Sequence, residues 1–256
     1  MCFIALIPAR GGSRGLPGKN LMEVQGISLV ARAILLAKQT QEISRVILST
    51  DDDEIIKEAE RAGCEVPFKR PADLSRSDTP MARVLEHAVE WIRNDIGKAD
   101  KHFSGLVVLQ PTSPMRKREH IEGAVRLYKE KARIRGKISG VTTVSPVPKE
   151  YFPDRLLKFK DKYSFPAEEE TGNIIVNAGL KIGEQPYYRN GAAIVLDPDH
   201  ITALNSFQPP MIPYMIKEQL VSVDSFLDLM KAEYCGRRLE PDPVNIDWSP
   251  RQKGLK

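Results

Sequence analysis

Short apolar runs alternate with longer amphipathic segments along the first part of this 256-residue chain. Runs with the length and composition of buried strands occupy residues 3–7, 46–48, 66–68, 106–109 and 138–144. Helices are predicted at residues 28–39, 54–62, 80–94 and 117–131, the last of them highly charged and expected to be exposed. Strands that alternate with helices indicate parallel β-α-β units and a twisted sheet covered on both faces. The sequence therefore predicts an α/β fold.

The alternation stops after residue 145. Residues 146–185 are rich in prolines and aromatic side chains and contain an acidic run, which predicts short irregular strands projecting from the main domain. Such a projection fits either a contact between subunits or an ordinary insertion with its own small core.

Regular elements are predicted again after the projection. Strands are expected at 192–196 and 211–216. A last helix at 226–234 places Leu227, Met230 and Tyr234 at helical spacing. We therefore divide the chain into an α/β domain (1–145 and 186–235), an insertion (146–185) and a Pro-rich, charged tail (236–256).

Composition and charge narrow the class of protein. Hydrophobic residues make up 41% and charged residues 28%, as in ordinary soluble proteins. The formal charge of +4 is small and spread along the chain, so neither nucleic-acid binding nor membrane binding is indicated. Cys2, Cys64 and Cys235 have no paired spacing, which predicts neither a disulfide framework nor a zinc motif and favours a reducing, cytoplasmic compartment. Neither a signal peptide nor a membrane span is recognised.

The stretch Arg10–Asn20 is the strongest chemical signal in the chain. It follows the first predicted strand and combines four glycines with Arg10, Arg14 and Lys19. Glycines allow successive backbone N–H groups to point at one anion, so a polyphosphate site is one interpretation and a solvated turn is the other. The loop fits neither the P-loop pattern, because Asn20 follows the Gly-Lys pair, nor the dinucleotide pattern.

Three further polar loops are predicted at the same edge of the sheet, past the carboxyl ends of its strands. They are residues 49–53, 70–79 and 110–118. Ligands of open α/β sheets bind at this edge. The second loop suits recognition of a base or ribose, although Asp78 or Thr79 also fits as the cap of the next helix. The third loop also fits a helix entry with Ser113 as the N-cap.

Four ordered motifs resemble the acylneuraminate cytidylyltransferase family, the CMP-sialic acid synthetases and their relatives. They are Ile7–Asn20, Ser49–Asp51, Arg70–Leu74 with Ser77–Thr79, and Leu109–Pro114. The similarity covers roughly residues 4–130 and resumes at Tyr188–Ala192 and around Val221–Leu229. The resemblance implies a three-layer Rossmann-like nucleotidyltransferase fold with a mostly parallel twisted sheet. It also implies transfer of CMP from CTP to the anomeric hydroxyl of a sialic-acid-like sugar acid, with release of pyrophosphate.

The resemblance assigns roles to residues of this chain. Arg10, Arg14 and Lys19 would hold the triphosphate over the backbone of Ala9, Gly11, Gly12 and Ser13. Asn20, Arg70, Asp78 and Thr79 would contact the nucleoside. Gln110, Thr112, Ser113, Tyr188, Arg189 and Asn190 would face the acceptor sugar and its carboxylate. The insertion 146–185 corresponds to the family's dimerisation region, so a homodimer is expected. Arg10, Lys19 and Asp224 are the expected catalytic residues.

One position departs from the family pattern. The family shows Asp-x-Asp before its last helix to hold Mg²⁺, and this chain has Ser222-Val-Asp224. A hydroxyl is a weaker ligand for Mg²⁺ than a carboxylate, so Asp224 is the expected metal ligand. The sequence leaves open whether Ser222 weakens the binding of Mg²⁺ or the activity. The insertion also matches the family poorly, so the acceptor could be a nonulosonic acid other than sialic acid.

Three alternatives remain at this stage. The same fold could act on another sugar or nucleotide, such as the octulosonic acid of lipopolysaccharide. The chain could be a catalytically silent nucleotide-binding protein, as Ser222 suggests. A glycosyltransferase with a similar nucleotide-binding sheet would bind a finished nucleotide-sugar and release no pyrophosphate.

Overall fold

The computed structural model describes residues 2–13, 15–96, 103–131, 139–152, 157–160, 163–166, 185–201 and 211–237. The strands are β1 (Cys2–Pro8), β2 (Glu23–Val24), β3 (Ile27–Ser28), β4 (Ile43–Ser49), β5 (Phe103–Val108), β6 (Gly140–Pro146), β7 (Leu157–Lys160), β8 (Tyr163–Pro166), β9 (Tyr187–Leu196) and β10 (Met211–Met215). The helices are α1 (Leu29–Gln39), α2 (Asp53–Arg61), α3 (Met81–Ile96), α4 (Arg118–Lys131) and α5 (Phe226–Gly236).

Six strands form one mixed sheet in the order β10-β6-β9-β5-β1-β4. β1 pairs in parallel with β4 and β5, and β10 pairs in parallel with β6. β9 runs antiparallel between β5 and β6, so the sheet is mostly parallel, as predicted. The short pairs β2–β3 and β7–β8 are antiparallel and lie outside this sheet.

The sheet has a hydrophobic core on each face, which makes a three-layer α/β fold. Alternate residues of β1 point to opposite faces, because side chains alternate along a strand. Ala5 and Ile7 pack with the apolar faces of α1, α2 and α4. Ile4 and Leu6 pack with α3. This arrangement confirms the predicted fold class and places the carboxyl ends of β1, β4 and β5 at one edge.

Local capping signals in the sequence are borne out by the structure. The Asp52 carboxylate accepts hydrogen bonds from the N–H groups of Glu54 (2.9 Å) and Ile55 (3.0 Å) at the start of α2. Gly63 follows α2 with a φ of +72°, a conformation that glycine adopts without strain. Ser28 lies just before α1 and accepts from the Ala31 N–H.

Two predicted features of the α/β domain are wrong. Residues 66–68 do not form a strand. Only an isolated bridge between Ile47 and Glu65 occurs there, since Pro67 cannot donate to a ladder. Helix α4 is not simply exposed, because one of its faces buries Ile121, Val125 and Tyr128 against the sheet.

The apolar stripe predicted on the last helix does not enter the core. Phe226, Leu227, Met230 and Tyr234 of α5 are all more than half exposed. The helix instead packs through Leu229 and Ala232 beside the β2–β3 pair. Amphipathic spacing therefore identified the helix but not the side that packs.

The insertion and the tail fall largely outside the described residues. Within the insertion, β7 and β8 pair in antiparallel fashion, in line with short strands. Residues 167–184 and 238–256, on which the dimerisation and tail predictions mainly rest, lie outside the described ranges. The domain division therefore stays a prediction.

Candidate active site

A cleft of about 480 Å³ opens at the carboxyl edge of β1 and β5. The residues that line it come from the loop after β1, from residues 70–84, from the loop after β5 and from the segment before α5. They are Pro8, Arg10, Ser13, Gly15, Lys19, Asn20, Arg70, Leu74, Arg76, Ser77, Thr79, Met81, Val84, Gln110, Pro111, Thr112 and Asp224. Three of the four loops predicted to converge do line this cleft.

The fourth loop, residues 49–53, supports the cleft from behind. Asp51 Oδ1 accepts the Gly11 N–H at 3.0 Å. A Cβ on Gly11 would come within 2.5 Å of Asp52 Oδ2, so only glycine allows the loop after β1 to pack this closely. The Gly11 N–H therefore already has a carboxylate as its acceptor, and the predicted anion contact of the backbone at Gly12 and Ser13 stays a prediction.

Hydrogen bonds to its own backbone and to residue 76 hold the loop after β1 in place. Asn20 is buried, and its Nδ2 donates to the Arg10 carbonyl at 2.9 Å. Arg10 Nη1 donates to the Arg76 carbonyl at 3.0 Å, which links this loop to the 70–79 loop. Arg14 lies outside the described residues. The loop thus presents Arg10 and Lys19 to the cleft from a fixed backbone.

Arg70 is a buried cation in the wall of the cleft. Its Nε donates to Ser49 Oγ at 3.0 Å, and its Nη2 donates to the Ser49 carbonyl. Burial lowers the pKa of the Arg70 guanidinium to about 10, while the nearby Asp51 charge acts in the opposite direction. The guanidinium is therefore charged at neutral pH and lies where an anion would stabilise it.

Arg76 is a cleft residue that our sequence reasoning missed. It pairs with Asp78 at 3.2 Å, and both side chains are largely exposed. Asp78 is not among the residues that line the cleft, whereas Thr79 is, with its hydroxyl donating to the Asp73 carbonyl. A signal was present in the sequence, since Arg76 lies between the two parts of the motif Arg70–Leu74 and Ser77–Thr79 and two residues before an acid.

The residues expected on the acceptor side divide into two groups. Gln110 and Thr112 line the cleft. Ser113 is buried and its hydroxyl faces the Asn190 carbonyl at 3.5 Å, so it neither lines the cleft nor caps α4, which begins five residues later.

The three acceptor residues of β9 lie outside the cleft lining. The side chain of Asn190 accepts from Thr143 Oγ1 (2.6 Å) and donates to Ser145 Oγ (2.9 Å). These bonds occupy its amide and join β9 to β6. Tyr188 and Arg189 pair with β6 residues. Their contact with a sugar stays a prediction.

A buried arginine braces the loop after β5. The side chain of Arg116 donates from Nε to the Ala192 carbonyl (2.7 Å) and from Nη2 to the carbonyls of Gln110 and Gly191. Burial lowers the pKa of this guanidinium to about 9, so it remains charged at neutral pH. Arg116 therefore connects the loop that carries Gln110 to the middle of β9.

Asp224 is the only carboxylate among the described residues that line the cleft. Its Oδ1 lies 2.8 Å from Lys19 Nζ, and its Oδ2 accepts from the Ser222 hydroxyl at 3.3 Å. The backbone before it is anchored by a hydrogen bond from the Val223 N–H to the Thr112 carbonyl. A Cβ on Gly15 would approach the Asp224 carbonyl oxygen to 2.7 Å, so this segment packs directly on the loop after β1.

These donors fit Mg²⁺ only in part. Mg²⁺ is commonly held by one or two carboxylates together with waters and substrate phosphates. Asp224 supplies one carboxylate and Ser222 a neutral hydroxyl, and the Lys19 ammonium already contacts Oδ1. Asp224 and Ser222 would therefore hold Mg²⁺ only together with other oxygen ligands such as phosphates, and Mg²⁺ binding stays a prediction.

A second acidic cluster, Glu119, His120 and Glu218, already pairs with a lysine. Lys117 Nζ lies 3.0 Å from Glu218 and 3.5 Å from Glu119. The Lys117 N–H donates to His120 Nδ1, and burial lowers the pKa of this imidazole, so it is neutral with its proton on Nε2. Because an ammonium lies between the acids, we assign no metal there.

Comparison with known proteins agrees with this geometry. A family model described as cytidylyltransferase matches residues 4–159. The chain belongs to the cytidylyltransferase family. That stretch contains the loops that supply most of the cleft lining. None of the helices in the described ranges is long and apolar enough to cross a membrane.

Several curated relatives are named for nonulosonic acids, and others for 3-deoxy-manno-octulosonate. The chain is 37% identical over 147 residues to a CMP-N,N'-diacetyllegionaminic acid synthase of Legionella pneumophila, covering 57% of this chain and 59% of the relative. It is 27% identical over 228 residues to an N-acylneuraminate cytidylyltransferase of Escherichia coli, covering 88% of this chain and 50% of the relative. The chain thus spans between half and three fifths of these relatives.

Solved structures support the fold. The structure of a CMP:2-keto-3-deoxy-manno-octonic acid synthetase complexed with CTP has a TM-score of 0.64 to this chain at 15% identity, covering 93% of this chain and all of that one. A 4-diphosphocytidyl-2C-methyl-D-erythritol synthase from Anaerococcus prevotii has a TM-score of 0.58 at 13% identity, covering 92% and 96%. At this identity the likeness concerns the fold alone.

Proposed function

We propose that this chain is a cytidylyltransferase that transfers CMP from CTP to the anomeric hydroxyl of a nonulosonic acid. The observation that carries the proposal is the concentration of positive charge in one cleft, whose described lining holds Arg10, Lys19, Arg70 and Arg76 but one carboxylate, that of Asp224. A polyanion would neutralise this surplus of positive charge. The volume of about 480 Å³ lies within the usual range of small-molecule sites.

In the proposed reaction, the sugar oxygen forms a bond to the α-phosphorus of CTP. The bond from that phosphorus to the bridging oxygen breaks, pyrophosphate leaves with the electron pair, and the hydroxyl proton is lost to water. Such a transfer depends on positioning and on neutralising charge rather than on covalent help from the protein. Arg10 and Lys19 would stabilise the phosphates that leave, and Mg²⁺ bound with CTP would supply further positive charge.

The acceptor is assigned by its class. The names of the Legionella and E. coli relatives favour a nonulosonic acid such as legionaminic or sialic acid. Gln110 and Thr112 would contact it from the loop after β5, since both line the cleft. We propose a cytoplasmic homodimer, in line with three cysteines that form no disulfide and with the family's insertion.

Pyrophosphate release tests the proposal directly. The protein is incubated with Mg²⁺, one of CTP, UTP or ATP, and one of sialic, legionaminic, pseudaminic or octulosonic acid. We expect release with CTP and a nonulosonic acid alone. Turnover with octulosonic acid only, or with another nucleotide, would redirect the assignment within the fold, and no turnover with any pair would refute it.

Two variants test the placement of the triphosphate. Arg10→Ala and Lys19→Ala should abolish turnover, because each removes a cation from the cleft, while the melting temperature stays near that of the wild type. Arg93→Ala is the matched control, since Arg93 is an exposed arginine of α3 that pairs with Asp199 outside the cleft. Full activity of either cleft variant would contradict the assignment.

A catalytically silent nucleotide-binding protein is the second candidate. It is favoured by Ser222, which gives Asp224 a hydroxyl as its neighbour where the family has an acid. CTP binding without turnover, unchanged in Ser222→Asp, would support this candidate. Activity in either protein would exclude it.

A further inference from the structure

The ion pair between Lys19 and Asp224 joins two segments that are 205 positions apart in the sequence. The two partners differ in their contact with water. The side chain of Lys19 is 17% exposed, whereas that of Asp224 is 71% exposed. A cation withdrawn from water needs an anionic partner, while an exposed carboxylate is well hydrated without one. The pair therefore matters more to Lys19 than to Asp224.

The Lys19 ammonium has few hydrogen-bond donors left for a ligand. An ammonium carries three donors, and two of those on Lys19 are used by the Val223 carbonyl (3.2 Å) and Asp224 Oδ1 (2.8 Å). A phosphate that binds the third donor would lie close to the Asp224 carboxylate, and two anions at that distance repel each other. Asp224 must then turn away or acquire a cation of its own.

Ser222 places a neutral side chain beside the pair that Lys19 forms with Asp224. Its hydroxyl donates to Asp224 Oδ2 at 3.3 Å and adds no charge, so one carboxylate faces one ammonium. A second acid at position 222 would leave a net negative charge that Lys19 alone could not neutralise. The neutral residue thus suits a carboxylate whose partner in the free protein is a lysine.

We propose that Asp224 acts as an internal substitute for the ligand's phosphate, holding Lys19 in the free protein and releasing it when a phosphate enters the cleft. This inference rests on the proposed function, because that function places phosphates at Lys19. Release of Lys19 also frees Asp224 at the moment when the added negative charge favours a divalent cation. Asp224 therefore competes with the ligand in the absence of metal.

The competition is measured by titrating inorganic pyrophosphate into the intact protein in a buffer that contains EDTA. Asp224→Asn removes the charge and keeps the size of the side chain. We expect at least threefold tighter pyrophosphate binding to this variant than to the wild type. With Mg²⁺ present the gain should disappear or reverse. A carboxylate that only repels the phosphate, without holding Lys19, would give a gain that does not depend on Lys19.

Two controls make the result specific. Glu218→Gln removes the same charge from the Lys117 pair, away from the cleft lining, and should leave the affinity unchanged. The gain from Asp224→Asn should be lost in a Lys19→Gln background, since the competition requires both partners. Circular dichroism verifies that each variant folds.

Equal or weaker pyrophosphate binding by Asp224→Asn in EDTA would overturn the inference, and so would a gain that survives Lys19→Gln. Failure of both proteins to bind pyrophosphate would overturn it too, because Lys19 must accept a phosphate once it is released. The probe contains neither cytidine nor sugar. If Asp224→Asn binds pyrophosphate more tightly while the wild type shows no cytidylyl transfer, the proposed function is refuted. The release of Lys19 by a phosphate would still stand.

Discussion

Replacing Arg116 by methionine should loosen the wall of the cleft and lower the stability of the whole domain. The guanidinium donates to the main-chain carbonyls of Gln110, Gly191 and Ala192. Methionine fills a similar volume but donates nothing. The Gln110 carbonyl keeps a second donor, the Ser113 N–H at 3.3 Å, whereas the other two carbonyls lose the guanidinium.

The expected cost follows from these two carbonyls. A buried acceptor that loses its donor costs about 1–3 kcal/mol, and the Gly191 carbonyl is only partly buried, which suggests about 2–4 kcal/mol for the two. Part of this is offset, because the substitution also removes a fully buried charge whose pKa is depressed by burial. We expect a net loss of about 2–3 kcal/mol. At roughly 2–4 °C per kcal/mol for a domain of this size, the melting temperature should fall by about 4–12 °C.

Thermal unfolding followed by circular dichroism measures this fall. Arg118→Met is the matched control, since Arg118 is a mostly exposed residue of α4 that pairs with Glu122 on the same helix, and its loss should cost less than about 0.5 kcal/mol. Arg116→Lys keeps a cation but loses the planar fork, so its melting temperature should lie between those of Arg116→Met and the wild type. A melting temperature for Arg116→Met within 1 °C or so of the control would refute this account of the brace.

Three further predictions follow from the described contacts. Gly15→Ala should lower CTP turnover at least tenfold, because its Cβ would lie 2.7 Å from the Asp224 carbonyl oxygen; turnover within twofold of the wild type in a pyrophosphate-release assay would be inconsistent with this packing. Cys64 should resist a thiol reagent at pH 8 in the native protein, since burial raises the pKa of its thiol to about 12, whereas the half-buried Cys2 and Cys235 should react. Mass spectrometry that finds Cys64 labelled as fast as Cys2 and Cys235 would contradict this. Asp52→Ala should cost about 1 kcal/mol in thermal unfolding, because two N–H groups of α2 lose their acceptor, and should cost more than Asp53→Ala, which removes an exposed partner of Lys69.

Much of the fold was predictable because its signals are local. The spacing of apolar residues along the chain predicted α1 to α5 and most strands of the sheet. Asp52 and Gly63 marked the two ends of α2. One error depended on what packs against a helix, and the other on a proline within a predicted strand. The apolar stripe of α5 stays exposed because no described element covers it, and residues 66–68 turn away from the sheet after one bridge.

The candidate site was predictable at the level of loops but not of side chains. The motifs pointed to the segments that line the cleft, and Arg10, Lys19, Arg70, Gln110 and Thr112 are found there. Ser113 and Asn190 also belong to the recognised motifs, yet their polar atoms bond to the protein itself. Ser113 joins the loop after β5 to β9, and Asn190 joins β9 to β6. Neighbours along a loop point in different directions, and only the packing of the surrounding strands determines which of them faces the ligand.

The amino-acid sequence determined the order of strands and helices, the ends of several helices and the presence of glycine-rich and basic loops at one edge of a sheet. These properties depend on residues within a few positions of each other. The tertiary structure decided that β9 runs antiparallel in the middle of the sheet, that Arg76 enters the cleft, and that Lys19 meets Asp224. These contacts join residues far apart in the chain, and burial and charge select them only after the layers of the fold have packed together.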